Sequence, residues 1–212
     1  MNRMLKTKIA ALTLSGLLIS GSALADDKTL TESFDYQGEV LHLDVGVGQV
    51  ELIASDSDQI EIQVELEGAE TGFLFFGDKR DVSDIELDVQ LNEGKRLSLS
   101  LSDSEDVKEE WRILLPASVE VNLEMGVGRV ETRGMDNSLE IDLGVGEVEV
   151  NHSHQYDDVE LTSGVGDVSF SMNGKKAEVE RAMVSASYSA SLNGQGNLHV
   201  DVGVGEVDVN GK

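Results

Sequence analysis

The sequence repeats one short phrase five times, namely Gly-Val-Gly followed by a polar residue and a valine. The copies read DVGVGQVEL, EMGVGRVET, DLGVGEVEV, TSGVGDVSF and DVGVGEVDV. Their first glycines are separated by 80, 18, 20 and 39 residues, and these are Gly46, Gly126, Gly144, Gly164 and Gly203. Spacings close to multiples of about 20 residues are typical of stacked repeat units. The phrase therefore predicts a repeat architecture.

Each phrase shifts the alternation of apolar side chains by one residue. In the first copy, Leu43, Val45 and Val47 occupy odd positions, whereas Val50 and Leu52 occupy even positions. Because a strand alternates strictly, its inward face must shift near the glycines, which requires a bulge or a corner. Glycine accepts the backbone angles of such a corner. We therefore assign a corner role to Gly46, Gly48, Gly126, Gly128, Gly144, Gly146, Gly164, Gly166, Gly203 and Gly205.

The rest of the chain after residue 25 consists of short alternating runs with turn residues between them, which predicts an all-β fold. We expect a β-solenoid, or β-helix-like stack, of coils of about 20 residues each. Residues 119–212 would form the regular coils, and residues 26–118 a more irregular N-terminal β cap. The 39-residue spacing predicts a degenerate coil at 184–194. An inner ladder would then contain Val130, Val148, Val168 and Val207.

Residues 1–25 have the pattern of a secretory signal peptide. Positive residues at Arg3, Lys6 and Lys8 precede an apolar run, and Ala23-Leu24-Ala25 supplies a cleavage site. Cleavage near Ala25 would leave a single domain, 26–212, with no cysteine and a formal charge changed from −25 to −28. Such a charge repels nucleic acids and anionic lipids and favours cationic partners. We expect a periplasmic, secreted or cell-surface protein without a stable membrane span.

The order of these segments resembles a known family. An exported leader is followed by LDVGVGQVELIAS, alternating strands, an ILLP run and coils of the type LEIDLGVGEVEV. This order is similar to that of the bacterial putative-adhesin β-strand-repeat family, over roughly residues 30–212. The resemblance implies a β-helix-like fold and an envelope location, with a role in adhesion or in envelope stress signalling. It implies no catalytic residues.

Acidic residues recur at fixed positions around the glycines. Stacking in register would place Asp44, Glu124, Asp142 and Asp201 in one outward column, Glu147, Asp167 and Glu206 in a second, and Glu131, Glu149 and Asp208 in a third. Like charges about 5 Å apart repel by about 0.8 kcal/mol in water, and calcium would relieve this repulsion. The calcium candidates are Asp142, Glu147, Asp167, Asp201 and Glu206. The alternative is a solvated face that discourages edge-to-edge aggregation.

Two other segments are candidates for function. In NHSHQYDD, the side chains of His152, His154, Asp157 and Asp158 could hold a transition metal, but Asn and Asp are also ordinary loop residues between coils. Phe73, Leu74, Phe75 and Phe76 are consecutive, so alternation cannot bury all four on one sheet face. They would either plug the open end of the core or contact a partner or a membrane.

The pattern argues against an enzyme. The glycine phrases lack the third glycine or the lysine of nucleotide-binding loops. The acidic residues lie in columns rather than in one constellation of base, acid and orienting group. We interpret the chain as a non-enzymatic exported envelope protein that acts as a binding or scaffold surface for an unidentified envelope protein or surface ligand. The alternatives are a calcium-dependent structural or adhesive protein, self-association through the C-terminal coil, and, more remotely, a polysaccharide-active β-helix enzyme.

Overall fold

The computed structural model describes residues 26–71, 78–92 and 95–212, and within these residues the secondary structure is entirely β-strand and turn. The all-β prediction is therefore confirmed. In chain order the strands are β1 (Asp27–Asp35), β2 (Val40–Ser55), β3 (Gln59–Gly68), β4 (Glu70–Thr71), β5 (Asp78–Lys79), β6 (Leu87–Asn92), β7 (Arg96–Leu101), β8 (Val107–Pro116), β9 (Glu120–Arg133), β10 (Leu139–His152), β11 (Asp158–Met172), β12 (Lys175–Lys176), β13 (Glu180–Ala182), β14 (Ser185–Ser191) and β15 (Asn197–Gly211).

Thirteen of the strands belong to one mixed sheet, whose main order is β1-β3-β8-β2-β9-β10-β15-β11-β14-β13. Strand β7 pairs with the first part of β2, β6 pairs with β7, and β12 pairs with β11, while β4 and β5 form a separate pair. This sheet does not close on itself, since β1 and β13 lie at the two ends of the order.

The five glycine phrases lie side by side in the middle of the sheet. Strands β2, β9, β10, β15 and β11 are parallel and in register residue by residue. The predicted inner ladder is present and buried, in the order Val50, Val130, Val148, Val207, Val168. Its spatial order differs from the chain order, because β15 is inserted between β10 and β11.

These strands must bend at the glycine phrases. Strands β9 and β10 are parallel neighbours joined only by residues 134–138. A straight 14-residue strand would extend over about 46 Å, whereas this connection reaches at most about 20 Å. Each strand therefore turns back on itself. The buried residues before the bend of β10, such as Ile141, and those after it, such as Val150, belong to the same hydrophobic core.

One expectation about the last third of the chain is wrong. Residues 184–194 are not a degenerate parallel coil, because β14 pairs antiparallel with β11 and places Tyr188 opposite Leu161. Without its glycines this segment has no bend and returns as a hairpin. Both edges of β15 are paired, with β10 and with β11, and self-association through the C-terminal coil stays a prediction.

The N-terminal part of the chain continues the same sheet. The first glycine phrase lies in β2, inside the parallel ladder, and β8, β3 and β1 extend the sheet beyond it. Buried side chains of both parts form one core cluster. The predicted signal peptide, residues 1–25, and the predicted contact segment with Phe73, Leu74, Phe75 and Phe76 lie outside the described residues.

Candidate binding surface

The two glycines of each phrase are required for different reasons. The second one, as in Gly146, has φ between +146° and +156° in all five copies, a region that favours glycine. A Cβ atom at Gly146 would also lie 1.7 Å from the carbonyl oxygen of Gly128 in the next strand. In β9, β10, β11 and β15 the first glycine is required by close approach alone, since a Cβ at Gly144, for example, would lie 2.5 Å from the carbonyl oxygen of Gly126.

The bend turns the valine between the two glycines outward. These valines have exposed fractions between 45% and 48%, and the strand register places them next to one another. Adjacent strands are about 4.8 Å apart, so the row is about 19 Å long. This valine row consists, in spatial order, of Val47, Val127, Val145, Val204 and Val165. The alternation of residues in the sequence predicted that Val47 faces inward together with Leu43 and Val45. This prediction is wrong, because the inward face of the strand already shifts at Gly46 and Val47 is exposed.

A hairpin tip extends the valine row at its β11 end. Met183 and Val184 connect β13 to β14, and their side chains are fully exposed and 61% exposed. The amide of Gly166 donates a hydrogen bond to the carbonyl of Val184 at 2.8 Å, which fixes the tip beside the bend of β11. Of the eight large apolar residues that are exposed in the described part of the chain, all but Leu91 belong to the row or to this tip.

A row of carboxylates lies on the other side of the first glycines. Its members, two positions before the first glycine in four of the five phrases, are Asp44, Glu124, Asp142 and Asp201, and we call them the groove carboxylates. The fifth phrase, in β11, has Thr162 at this position. They line a shallow open groove of about 590 Å³ together with Gly126, Gly144 and Gly203. Within the described residues, none of these four carboxylates has an ion pair or a side-chain hydrogen bond.

The acidic columns on the opposite side of the valine row are neutralised in part by arginines. Arg129 contacts Glu147 and donates to Glu149 at 2.8 Å, and Arg181 donates to Asp167 at 2.6 Å. Arg133 likewise bridges Glu51 and Glu131. Such exposed pairs contribute little to stability, but they balance charge. The groove carboxylates, by contrast, have no such partner in the part of the chain that the structure describes.

The structure separates the predicted calcium candidates into two groups. Asp142 and Asp201 are neighbours in the groove, whereas Glu147, Glu206 and Asp167 are neighbours on the other side of the valine row. In residues 26–71, 78–92 and 95–212, no group of three or more His, Cys, Asp or Glu side chains is arranged to hold a metal ion. Calcium binding stays a prediction.

The two histidines of the loop after β10 contact backbone carbonyls. Nδ1 of His152 lies 2.7 Å from the carbonyl oxygen of His154, and Nε2 of His154 lies 2.6 Å from that of Gln195. His152 is buried against the ring of Tyr156, with ring centroids 5.0 Å apart. These contacts give the loop a structural role in holding its turn.

A buried glutamate supports the β2 end of the surface. On one edge β2 pairs with β7 up to Leu43 and with β8 from Gly48 onward, so a gap in the backbone pairing lies between them. The carboxylate of Glu109 fills this gap, because it accepts hydrogen bonds from the Gly46 amide at 3.0 Å and from Nε1 of Trp111 at 2.7 Å. Burial raises the pKa of the Glu109 carboxyl.

The sequence analysis did not single out Glu109. A signal was present, because in VKEEWRILL the parity of Glu109 matches that of Val107, Trp111 and Ile113, all of which are buried. A glutamate on the inward face of a strand predicts a buried acceptor that needs donors.

Comparisons with known proteins found similar solved structures but no sequence match. No family model matches the chain, and no curated protein matches it. A solved structure described as a putative cell adhesion protein from Clostridium sporogenes is similar, with 15% identity, a TM-score of 0.49, and coverage of 88% of this chain and 100% of that chain. Two structures described as putative adhesins are similar at lower scores. The one from Parabacteroides merdae has 13% identity and a TM-score of 0.30, and the match covers 68% of this chain and 63% of that chain. The one from Bacteroides fragilis has 10% identity and a TM-score of 0.23, and the match covers 86% of this chain and 97% of that chain.

These descriptions name the same group that the sequence resembles. In the part of the chain that the structure describes, no helix has the length and apolar character needed to cross a membrane.

Proposed function

We propose that this protein is a non-enzymatic, adhesin-like binding protein of the bacterial envelope, exported by residues 1–25. Its contact surface would be the valine row, the hairpin tip and the adjacent groove carboxylates. The observation that carries this proposal is the concentration of exposed apolar side chains along one line beside an unbalanced row of carboxylates. Contiguous exposed apolar patches usually mark interaction sites.

The construction of the surface supports a binding role. The five bends stand on strands with paired backbones and a buried valine ladder, and the glycines fix the bend angle. A surface that is already rigid loses little conformational entropy when a partner docks. We interpret the bent strands as short β-helix-like coils, which repeat the same contact positions about every 4.8 Å.

Attachment of cells to immobilised protein tests the proposal. Beads coated with residues 26–212 are mixed with cells of the bacterium that produces the protein, and retained cells are counted. We expect more cells on these beads than on beads coated with an unrelated acidic protein, and we expect free protein to compete. Retention equal to that of the unrelated protein would contradict an adhesive role.

A triple variant distinguishes the binding surface from the stability of the fold. Val127→Thr, Val145→Thr and Val204→Thr together keep the β-branched shape and the strand propensity while removing apolar surface. We expect this triple variant to melt close to the original protein and to retain fewer cells. Unchanged retention by the folded variant would remove the valine row from the binding surface.

A further inference from the structure

We propose that the groove and the valine row together form a docking site for a cationic amphipathic polypeptide segment. Its lysine or arginine side chains would contact the groove carboxylates, and its aliphatic side chains would pack on the valine row. This inference rests on the function proposed above, because it names the class of partner for the same surface.

The charge distribution favours a cationic partner. Four carboxylates lie in adjacent strands at spacings of about 4.8 Å, and in the described residues no arginine, lysine or histidine pairs with them. The neighbouring columns, by contrast, have Arg129 and Arg181 as partners. An incoming cation would therefore relieve in the groove the kind of repulsion that Arg129 and Arg181 relieve in the neighbouring column.

The valine row requires that the partner also be apolar. A purely cationic chain would leave the valines in water, whereas burial of apolar area contributes about 25 cal/mol per Å². Because the two rows run in parallel, each of the strands β2, β9, β10 and β15 presents one carboxylate, one glycine and one valine, as in Asp142, Gly144 and Val145. Strand β11 extends the valine row but has Thr162 in place of the carboxylate.

The dimensions fit a short stretch of extended chain. The row of about 19 Å corresponds to about six residues of extended polypeptide at about 3.3 Å per residue. The glycines of the groove floor have no side chains, so a chain can approach the sheet closely. With alternating side chains, about three would point to each row.

The same charges disfavour two other occupants. A second copy would bring its own groove carboxylates against these, and like charges at an interface are unfavourable. An anionic membrane would be repelled by a mature chain of formal charge −28. Both remain as outcomes that the experiment can detect.

The experiment measures binding of two labelled twelve-residue peptides to residues 26–212 by fluorescence anisotropy. One peptide alternates lysine and leucine, and the other alternates lysine and serine, so they have the same charge and differ in apolar surface. We expect the lysine-leucine peptide to bind at least tenfold more tightly. Equal affinities would overturn the role of the valine row.

Matched variants locate the binding site. Glu124→Gln, Asp142→Asn and Asp201→Asn remove three groove charges, while Asp35→Asn, Glu61→Gln and Glu65→Gln remove three exposed charges from β1 and β3. We expect at least a tenfold loss of affinity for the groove variant and less than a twofold change for the control variant. Similar losses in both would mean that the overall field, and not the groove, attracts the peptide, which would overturn the proposal.

Two further measurements test for the two alternative occupants, a second copy of the protein and a membrane. Sedimentation velocity of the free protein would reveal a dimer, and co-sedimentation with vesicles of phosphatidylcholine and phosphatidylglycerol would reveal membrane binding. We expect a monomer that stays in the supernatant. A dimer or a vesicle-bound form that the valine-to-threonine variant abolishes would assign the row to that occupant and overturn the proposal. If cells still attach to coated beads while the peptides fail to bind, the adhesive function stands and only the partner class is wrong.

Discussion

At the residue scale, Glu109 is the side chain on which the β2 end of the ladder depends. Its two carboxylate oxygens accept one backbone hydrogen bond, from Gly46, and one side-chain hydrogen bond, from Trp111. The charged form is disfavoured by burial, which raises the pKa, although both hydrogen bonds oppose that shift. The residue thus replaces a missing backbone partner at the cost of burying a carboxyl group.

Replacement of Glu109 by glutamine should destabilise the protein by about 1–3 kcal/mol, because the new amide cannot accept from both donors. The deficit should depend on pH. A raised pKa in the folded state means that the wild-type protein loses stability as pH rises through that pKa, and the glutamine variant does not. Urea unfolding of both proteins should therefore give the largest difference near pH 4.5 and a smaller one at pH 7.5. A difference that grows with pH would contradict this account.

His152 gives a pH dependence of the opposite sign. Its Nδ1 donates to the His154 carbonyl, its Nε2 is buried without a partner in the described residues, and burial lowers its pKa. Because the unfolded chain takes up this proton near pH 6.5 and the folded chain resists it, stability should fall as pH drops through that value.

Urea unfolding at pH 7.5 and pH 5.5 tests this expectation. Between pH 7.5 and pH 5.5, the free energy of unfolding of the wild-type protein should fall by about 1 kcal/mol more than that of His152→Gln. His199→Gln, at a half-buried histidine whose ring lies 3.6 Å from Glu160, serves as the control and should keep the wild-type pH dependence. If His152→Gln also keeps the wild-type pH dependence of stability, His152 is not its cause.

At the scale of the element, the Gly-Val-Gly bend allows one strand to contribute buried side chains to the core both before and after the bend. The first glycine allows the neighbouring strand to approach, the second adopts the positive φ, and the valine between them is forced outward. The binding surface is therefore a direct consequence of the bend, since each stacked copy adds one more exposed valine.

The bend predicts that Gly146→Ala destabilises the protein by more than about 2 kcal/mol, because of both the positive φ and the 1.7 Å approach to the Gly128 carbonyl. Gly174→Asn is the matched control. It also has positive φ, but no atom lies within 4 Å of its Cβ position, and asparagine tolerates this region. Thermal melts should separate the two variants by several degrees; equal melting temperatures would mean that the bend is not fixed by these contacts.

Local patterns predicted much of this element from the sequence. The alternation of apolar residues located the strands, the change of parity located the bends, and the repeat spacing placed Val130 beside Val148. The same patterns could not place β15 between β10 and β11, because neighbouring copies are nearly equivalent and the choice among them depends on the hairpin β13–β14 covering β11. Parity also failed at Val47, where the bend itself turns the side chain.

At the scale of the whole molecule, charge is the dominant property. A chain with a formal charge of −25, or −28 without residues 1–25, stores repulsion in its folded state. Some of it is balanced by ion pairs such as those of Arg129 and Arg181 beyond the valine row, whereas the groove carboxylates have no ion pair within the described residues. The surface thus combines an apolar row, which attracts partners, with carboxylates, which select cationic ones.

Calcium is the simplest ligand that this charge could recruit, and the prediction remains testable. Thermal melts followed by circular dichroism, first in chelator and then across a calcium titration, should show a saturable rise of several degrees if the carboxylates bind calcium in the folded state. A rise no larger than that produced by magnesium or by the same ionic strength of sodium chloride would reduce the effect to screening.

The most direct test of the central claim is site-specific photo-crosslinking in intact cells. A photoreactive residue is placed at Val145 in the valine row or at Glu61 on the outer face of β3, both of which are solvent-exposed. If the valine row and the groove are the working surface, position 145 should give a discrete adduct that excess lysine-leucine peptide suppresses, and position 61 should give none. The same adducts from both positions, or none from position 145, would contradict the account.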